Sequence, residues 1–493
     1  MKYLRVPREI TLADFRAKGS SLSAAMYQRV EILNPNVKTI RELIHGYDKG
    51  YDPGSRHYVK KSTHYFIRTK ALQTHSWLLY PKGGAITPIS PKVFEELALK
   101  DGDILMSKDS NIGECAMLHG DGWGNHMLSG GVVRIRPKID RHYLLAFMKH
   151  ELFRTELVAR VPRGSTIAHA NEHWLDCRVP FPSQEGAAEV IAYVSALAQA
   201  IVDKEIAIRA KDAEILSEFE AELRGNQSQE FEYQFPTSHE MRNLGRIDAA
   251  IYGVEFKSKI ALVDLYAGGT ESPTQAGFSI TPGPSLEIKL LRTRLDSDVA
   301  KSGFYQLLIP ANMSEYGTMI REAWLGTANR LPLLKKGDVL IGEAGFHKGR
   351  TIVILDDPER TTTNAHGLFA RRADEDVAKA VFFRCVFHWY RSQRLIDLMA
   401  VGGSGGHFSP NYFDSIRIPS FPDAVQKHIA RLYHNPVPPP VSRRTLSNFV
   451  GWHREWNESL GIWELDRELK ALQNKLAAVQ EDIIEGRTVT LSF

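Results

Sequence analysis

Two stretches of the chain carry apolar residues at helical spacing. The first lies between residues 187 and 223, where no glycine or proline occurs. This pattern predicts a single helix of about 40 residues, or ~60 Å at ~1.5 Å per residue, ending at Gly225. Its apolar stripe recurs every seven positions and consists of Val194, Ile201, Ile208 and Ile215.

The second stretch lies near the end of the chain. Between Ile462 and Ile483 the apolar residues alternate spacings of three and four, which is the a/d pattern of a coiled coil. The members between these ends are Leu465, Leu469, Leu472, Leu476 and Val479. We expect this helix to end at Gly486 and to pair with the first helix, although such a stripe also fits ordinary core packing.

The regions before these helices repeat a common series of motifs. LKDGDILM at 99–106 matches LKKGDVLI at 334–341, and each predicts a polar turn followed by an apolar strand. The later matches are Asn125 and His126 with Asn364 and His366, GS at 164–165 with GS at 403–404, and CRVPFP at 177–182 with IRIPSFP at 416–422. Because the offset grows only from 235 to 239 residues, the series indicates a tandem duplication.

The predicted organisation is lobe, helix, lobe, helix. Each lobe combines short strands with a few helices, which we expect over 141–158 and 376–399. The segments are a first lobe (1–183), a spacer helix (184–226), a linker (227–240), a second lobe (241–422) and a second spacer helix (423–493) interrupted by a proline-rich insertion (435–444). The expected fold class is α+β, with two tandem, similar mixed α/β lobes separated and followed by long helices that pair as an antiparallel coiled coil.

Composition narrows the functional classes. The chain of 493 residues has three cysteines, and it lacks both a run of about 18 apolar residues and an apolar leader, so we expect a cytoplasmic protein without a membrane partner. The net charge is +4, but residues 185–223 carry −6 and residues 464–487 carry −2, which leaves +12 elsewhere. Basic lobes favour a polyanionic ligand, although solvated helices are often acidic without consequence.

Common catalytic signatures are absent from the sequence. It contains no P-loop, no dinucleotide-binding glycine motif, no HExxH and no paired CxxC. Glu287 and Lys289 form the ExK half of a metal-dependent nuclease core, for which Asp264 is a candidate acidic partner. Ser165 with His169 and His173 is a weaker Ser/His candidate, because no acidic partner is placed by sequence. Two alternatives to a nucleic-acid-binding function remain open. One is a metal-dependent nuclease or fused restriction enzyme, and the other is a non-catalytic protein adaptor.

Several segments have the composition of a nucleic-acid interface. Residues 53–72 contain five basic residues and no acidic residue, interleaved with histidine and tyrosine. Polar loops follow the first strand of each lobe, and further polar loops follow its helices; Arg and Asn at such places suit guanine and adenine edges. The predicted DNA-binding residues are Arg56, Lys60, Lys61, Arg68, Lys70, Lys108, Asn111, Arg163, Ser165, His169, Asn171, His347, Lys348, Arg350, Ser404, His407 and Asn411.

Taken together, these motifs resemble the specificity (S) subunit of type I restriction–modification systems. The matching segments are KDGDIL (100–105), KKGDVL (335–340), GRTI (349–352), the looser GECA (113–116), the two GS pairs, VPFP (179–182) and IPSFP (418–422). Two features depart from the family pattern: prolines at 436–440 interrupt the second long helix, and the first ~60 residues of each lobe match poorly.

The resemblance implies two target-recognition domains, each reading half of a split double-stranded DNA target, with helices that hold the halves at a fixed spacing. It also implies a subunit that is non-catalytic by itself and binds no cofactor directly. Two methyltransferase (M) subunits would dock on the helices, and restriction/translocase (R) subunits would join in some complexes. S-adenosylmethionine, Mg²⁺ and ATP would then be bound by those partner subunits.

Overall fold

The computed structural model describes residues 2–17, 20, 22, 27–80, 83–161, 169–401 and 406–493, apart from the side chain at position 243. The chain divides into two compact units. One unit consists of Met1–Ile206, Pro439–Glu458 and Arg467–Phe493, and contains the first lobe. The other consists of Ala207–Pro438 and Ser459–Asp466, and contains the second lobe.

The described residues of the first lobe form short strands and short helices. Its strands are β1 (Leu4–Arg5), β2 (Arg29–Val30), β3 (Val37–Thr39), β4 (Ile44–Lys49), β5 (His64–Ile67), β6 (Ile86–Ile89), β7 (Ile104–Ser107), β8 (Cys115–Met117), β9 (His126–Leu128), β10 (Val132–Pro137) and β11 (Arg178–Pro180). Its helices are α1 (Leu12–Ala17), α2 (Ile40–Leu43), α3 (Arg141–Lys149) and α4 (Glu151–Arg160). An antiparallel sheet has the order β4-β10-β7-β8, and a smaller sheet has the order β6-β5-β9 with β5 and β9 parallel. Strands β1 and β2 pair with each other, and β11 pairs with β3.

The long helix α5 (Ala187–Gly225) connects the first lobe to the second. The helices of the second lobe are α6 (Ser238–Leu244), α7 (Val254–Asp264), α8 (Val377–Ser392) and α9 (Leu395–Met399). Its strands are β12 (Thr270–Glu271), β13 (Phe278–Pro282), β14 (Leu295–Ser297), β15 (Tyr305–Leu307), β16 (Trp324–Gly326), β17 (Val339–Gly342), β18 (Thr351–Val353), β19 (Thr361–Thr362), β20 (Gly367–Arg372) and β21 (Ile418–Pro419).

The two lobes share one topology, which confirms the predicted pair of similar lobes. The order β13-β20-β17-β18 reproduces β4-β10-β7-β8 strand for strand. The second sheet, β14-β16-β15-β19, reproduces β6-β5-β9 with one added strand and the same parallel pair, and β12 pairs with β21 as β3 does with β11.

One of the sequence matches is wrong in register. Backbone pairing aligns Tyr65↔His126 with Gln306↔Thr361, so His126 corresponds to Thr361 and the offset at this point is 235, not 239. His366 corresponds instead to Gly131. The carbonyl of His366 accepts the N–H of Glu343, which follows β17, and the carbonyl of Gly131 accepts the N–H of Lys108, which follows β7. Chance similarity of short polar segments explains the mismatch.

The repeated KxGD motif has a structural role in both lobes. Gly102 and Gly337 adopt φ of 79° and 85°, a region that favours glycine. The following aspartate closes the turn by accepting the backbone N–H of the lysine three residues earlier, at 3.0 Å for Asp103 and 2.7 Å for Asp338. The motif therefore directs the chain into the buried central strand.

The helices predicted over 141–158 and 376–399 are each interrupted. The first is divided into α3 and α4 at His150, whose Nδ1 accepts the Leu152 N–H at 3.2 Å and caps the second segment. The second is divided into α8 and α9 at Arg394, which has φ of 62°.

The remaining helices are α10 (Asp423–Tyr433), α11 (Phe449–Ser459) and α12 (Ile462–Ile484). The proline-rich segment between α10 and α11 is non-helical, and α11 was not predicted. The nine residues predicted to pair the long helices are all buried: Val194, Ile201, Ile208, Ile215, Leu465, Leu469, Leu472, Leu476 and Val479.

Helices α5 and α12 are antiparallel in the first unit. The Nζ of Lys475 lies 5.9 Å from the ring centroid of Tyr193, whereas Lys204, farther along α5, interacts electrostatically with Glu468, earlier on α12. The second half of α5 contacts the second lobe, where the Phe219 ring lies 5.5 Å from that of Trp389 and 4.9 Å from that of Phe421. With 39 residues against 23, α5 is too long to pair with α12 throughout.

The predicted linker is attached to the second lobe. The side-chain amide of Gln227 donates to the Leu262 carbonyl at 2.9 Å. The Tyr233 hydroxyl donates to the backbone carbonyl of Tyr252 at 3.1 Å. Over the described part of the chain, we find no helix with the length and apolar character needed to cross a membrane.

Candidate nucleic-acid interface

In the first lobe, the structure brings two of the predicted DNA-binding loops together. Asp109, in the loop after β7, forms an isolated antiparallel bridge with His169. The adjoining Ala170 N–H donates to the Lys108 carbonyl at 2.7 Å, and Nδ1 of His169 lies 2.8 Å from a carboxylate oxygen of Asp109. A third loop joins them, because the Lys108 N–H donates to the Gly131 carbonyl at 2.8 Å.

The second lobe repeats this arrangement. Ala344 pairs with His407, and the Phe408 N–H donates to the Glu343 carbonyl at 2.8 Å. The Glu343 N–H donates to the His366 carbonyl at 2.9 Å, and Nδ1 of His407 lies 4.0 Å from the Glu343 carboxylate. We call these sets the loop clusters: 108–112, 129–131 and 169–171 in the first lobe, and 343–348, 364–366 and 406–411 in the second.

Several predicted residues are exposed at the loop clusters. Asn111, His169 and Asn171 are exposed in the first lobe, and His407 and Asn411 in the second. His347 is half-buried. Arg163, Ser165 and Ser404 lie outside the described residues.

A basic segment approaches the loop cluster of the first lobe. Arg56, Lys60, Lys61 and Arg68 are exposed, and none of them has an ion pair with a residue that the structure describes. Lys70 is half-buried and donates to the Gly83 carbonyl at 2.8 Å.

Gly131 marks the point of contact between the basic segment and the loop cluster. A Cβ at Gly131 would lie 2.8 Å from Cγ2 of Thr69 and 3.1 Å from Cβ of Asp109. The absence of a side chain therefore permits the segment and the loop to approach each other closely.

The rings within this segment pack on the fold. Phe66 is buried with Ile89 and Met127, and the Tyr65 ring stacks on that of His126 with centroids 5.0 Å apart. Burial lowers the pKa of His126, which favours its neutral form.

Arg350 is in an internal ion cluster, against the prediction that it contacts DNA. Its side chain is 8% exposed and donates to the Met313 carbonyl and, at 2.9 Å, to Glu315. The same position in the first lobe is Glu114, which pairs with Arg154 at 2.6 Å. The residue at this position is basic in one lobe and acidic in the other, and in both lobes it forms an ion pair within the lobe. We infer that its role is to connect the loop to the neighbouring structure.

Two predicted lysines also have internal partners. Lys348 forms an ion pair with Asp397 at 3.1 Å, and its side chain is 16% exposed. Lys108 pairs with Asp109 at 3.4 Å and is 19% exposed. Neither ammonium group is as available to phosphate as those of Lys60 and Lys61.

The residues of the nuclease hypothesis are not arranged as a nuclease core. Glu287 and Lys289 lie outside the strands and form a salt bridge with each other at 2.7 Å. Asp264 is the last residue of helix α7, and burial raises the pKa of its carboxyl. Within the described residues, no group of three or more His, Cys, Asp or Glu could hold a metal ion. The Ser/His candidate stays a prediction, because Ser165 lies outside the described residues; His173 lies in a 3₁₀ turn.

Comparison with known proteins gives similarity in structure alone. No family model matches the chain, and no curated protein matches it. The type I restriction–modification S subunit from M. genitalium is 11% identical, with a TM-score of 0.40, covering 93% of this chain and 96% of that chain. The HsdS subunit from Thermoanaerobacter tengcongensis is 13% identical, with a TM-score of 0.27, covering 92% and 98%. A chain from a study of type I R-M complex assembly and conformational transition is 12% identical, with a TM-score of 0.30, covering 93% and 100%.

Proposed function

We propose that this chain recognises DNA sequence, as the specificity subunit of a type I-like restriction–modification complex. The observation that carries the proposal is the loop cluster, which recurs at the same place on the same strand order in both lobes. Two similar DNA-binding lobes are suited to a duplex target that has two parts, with one half-site for each lobe.

The chemistry of the first lobe supports DNA as the ligand. Phosphate contacts from Lys and Arg supply most of the affinity of DNA-binding proteins, and the basic segment offers such groups at Arg56, Lys60, Lys61 and Arg68. Base edges are read by amide and other planar side chains, which the loop clusters present at Asn111, Asn171 and Asn411.

The proposal includes partners for the helices. Two methyltransferase subunits would dock on α5 and α12, and R subunits would join in a restricting complex. S-adenosylmethionine, Mg²⁺ and ATP would act on those subunits, and the complex would work in the cytoplasm. The buried, unpaired state of Cys115, Cys177 and Cys385 is compatible with a reducing compartment.

The experiment is a selection from a pool of random duplex DNA by the purified full-length chain. We expect enrichment of two short motifs at one fixed separation, with affinity that falls steeply with salt, by about 0.9 in log K per log unit of salt for each neutralised phosphate. An adaptor for protein partners would enrich no sequence.

The same preparation tests the enzymatic alternative. Incubated with Mg²⁺ and the selected duplex, the chain is expected to leave the DNA intact. Cleavage that is abolished by Lys289→Ala would restore the nuclease hypothesis.

A further inference from the structure

The tip of one loop cluster carries an unusually exposed ring. Phe346 is 95% exposed, more than any other aromatic side chain that the structure describes. The described residues provide no ring or core cluster against which it packs. A single exposed apolar side chain is common on protein surfaces. Phe346 differs from the others by its place in the loop cluster, where a bound ligand would remove the ring from water.

The loop holds Phe346 at a defined place. The residue lies in a 3₁₀ turn, Gly345–His347, between β17 and β18. Ala344 precedes the turn and is paired with His407, and Gly349 follows it and donates to the Gly342 carbonyl at 2.8 Å. The ring is therefore displayed by a short turn with hydrogen bonds on both sides.

Phe346 and Asn111 lie at the tips of corresponding loops in the two lobes. Asp109 and Ala344 make equivalent bridges, and the next residues, Ser110 and Gly345, have nearly the same positive φ, 66° and 65°. The residue after each of them is exposed, so Phe346 matches Asn111 when counted from the bridges. The second loop is one residue longer, because the N–H groups of Glu114 and Arg350 donate to the carbonyls of Asn111 and His347, respectively. The two lobes therefore present an amide and a phenyl ring at the tips of corresponding loops.

The neighbouring cation has a partner within the lobe. Lys348 pairs with Asp397 at 3.1 Å, so the tip of this loop offers an apolar surface. In the major groove the one apolar feature that differs between base pairs is the 5-methyl group of thymine. An amide at the tip of the corresponding loop, as at Asn111, is suited to the edge of adenine.

We propose that Asn111 and Phe346 are base-contacting residues at the tips of corresponding loops, and that Phe346 contacts the methyl group of a thymine in the half-site of the second lobe. This inference rests on the proposed function. It explains how two lobes with the same topology would recognise different half-sites, because the residues at their loop tips differ in chemistry.

The test uses the full-length chain and the duplex obtained from the random-pool selection. Each thymine is replaced in turn by uracil, which removes only the methyl group. For the wild-type chain we expect one replacement in one half-site to weaken binding about fourfold, the factor for one buried methyl group. Phe346→Ala is expected to bind the thymine duplex more weakly and to be insensitive to that replacement, whereas Phe346→Leu keeps part of the sensitivity.

Ile288→Ala is the matched control, since Ile288 is 76% exposed in the same lobe but lies outside the loop cluster. It should bind as the wild type does. The inference is overturned if sequence-specific binding persists while Phe346→Ala retains the uracil sensitivity, or if that variant weakens binding equally on all sequences. Failure to enrich any sequence would instead overturn the proposed function, so the two failures are distinguishable.

Discussion

At the scale of single residues, the exposed lysines of the first lobe are the clearest candidates for phosphate contacts. Replacement of Lys60 and Lys61 by alanine should weaken binding on all DNA sequences to a similar degree. It should also reduce the slope of log K against log salt by ~0.9 for each phosphate that is no longer neutralised. The measurement is a salt titration of binding by fluorescence anisotropy.

Lys427→Ala provides the control for this titration. Lys427 lies on α10, is not part of either loop cluster, and has a side chain that is 66% exposed. An unchanged salt slope in the double variant would show that the basic segment does not bind phosphate.

A buried carboxylate in the first lobe should dominate local stability. Glu156 is 1% exposed and binds Arg160 at 2.8 Å and Arg178 at 2.6 Å, and it accepts the backbone N–H of Arg178 at 2.8 Å. The arginine side chains are 36% and 30% exposed, so water would partly solvate the charges that Glu156→Ala leaves unpaired. The substitution should cost about 1–3 kcal/mol in the free energy of unfolding, mainly through the hydrogen bonds it removes.

Urea unfolding followed by circular dichroism measures this destabilisation. Glu255→Ala is the comparison, because Glu255 makes an exposed i,i+4 pair with Lys259 and should change stability by at most ~0.5 kcal/mol. Equal effects of the two substitutions would contradict the assignment of a structural role to Glu156.

At the scale of elements, helix α11 contains a buried histidine that should make stability depend on pH. Burial lowers the pKa of His453 to about 3, whereas an unfolded chain has a histidine pKa of ~6.5. Between these values the unfolded state binds a proton that the folded state does not. The stabilisation is therefore complete above pH ~6.5 and decreases by about 1.4 kcal/mol per unit as the pH falls toward 3.

Phenylalanine at this position would remove the titration while keeping a ring beside Phe449 and Trp452. We expect His453→Phe to lose less stability than the wild type between pH 7 and pH 5, as measured by urea unfolding with tryptophan fluorescence. His428→Phe, at an exposed position on α10, should leave the pH dependence unchanged. The account of His453 fails if both variants follow the wild-type pH profile.

Periodicity identified the long elements well. The stripe of α5 and the seam of α12 are local patterns that continue over several turns, so their bounds could be predicted within a few residues. Helix α11 was missed although Phe449, Trp452 and Trp456 have helical spacing, because the preceding prolines suggested a long break. Its core-facing residues are aromatic and occupy only three turns, too few to establish a heptad.

The site was predictable only in part. Loops at the ends of repeated strands could be located, because the turn motifs that precede them are local. The partners of Arg350 could not, since Glu315 lies 35 residues away in sequence and is brought close by the fold. Phe346 was missed for a related reason: sequence alone does not separate an exposed phenylalanine from one in the core.

At the scale of the whole molecule, the proposed function requires that the two lobes, which share one topology, recognise DNA independently of each other. The sheet orders β4-β10-β7-β8 and β13-β20-β17-β18 have separate cores, centred on residues such as Leu105 and Leu340. Each loop cluster is assembled from residues of its own lobe. Changing one lobe should therefore leave the DNA preference of the other intact.

The most direct measurement is a lobe exchange followed by random-duplex selection. Residues 65–182 are replaced by the corresponding segment of a related chain, and the selected sequences are compared with those of the wild type. The account predicts that one half-site changes while the other half-site and the separation between them stay the same. A change in both half-sites, or the absence of any selected sequence for a chimera that still folds, would contradict it.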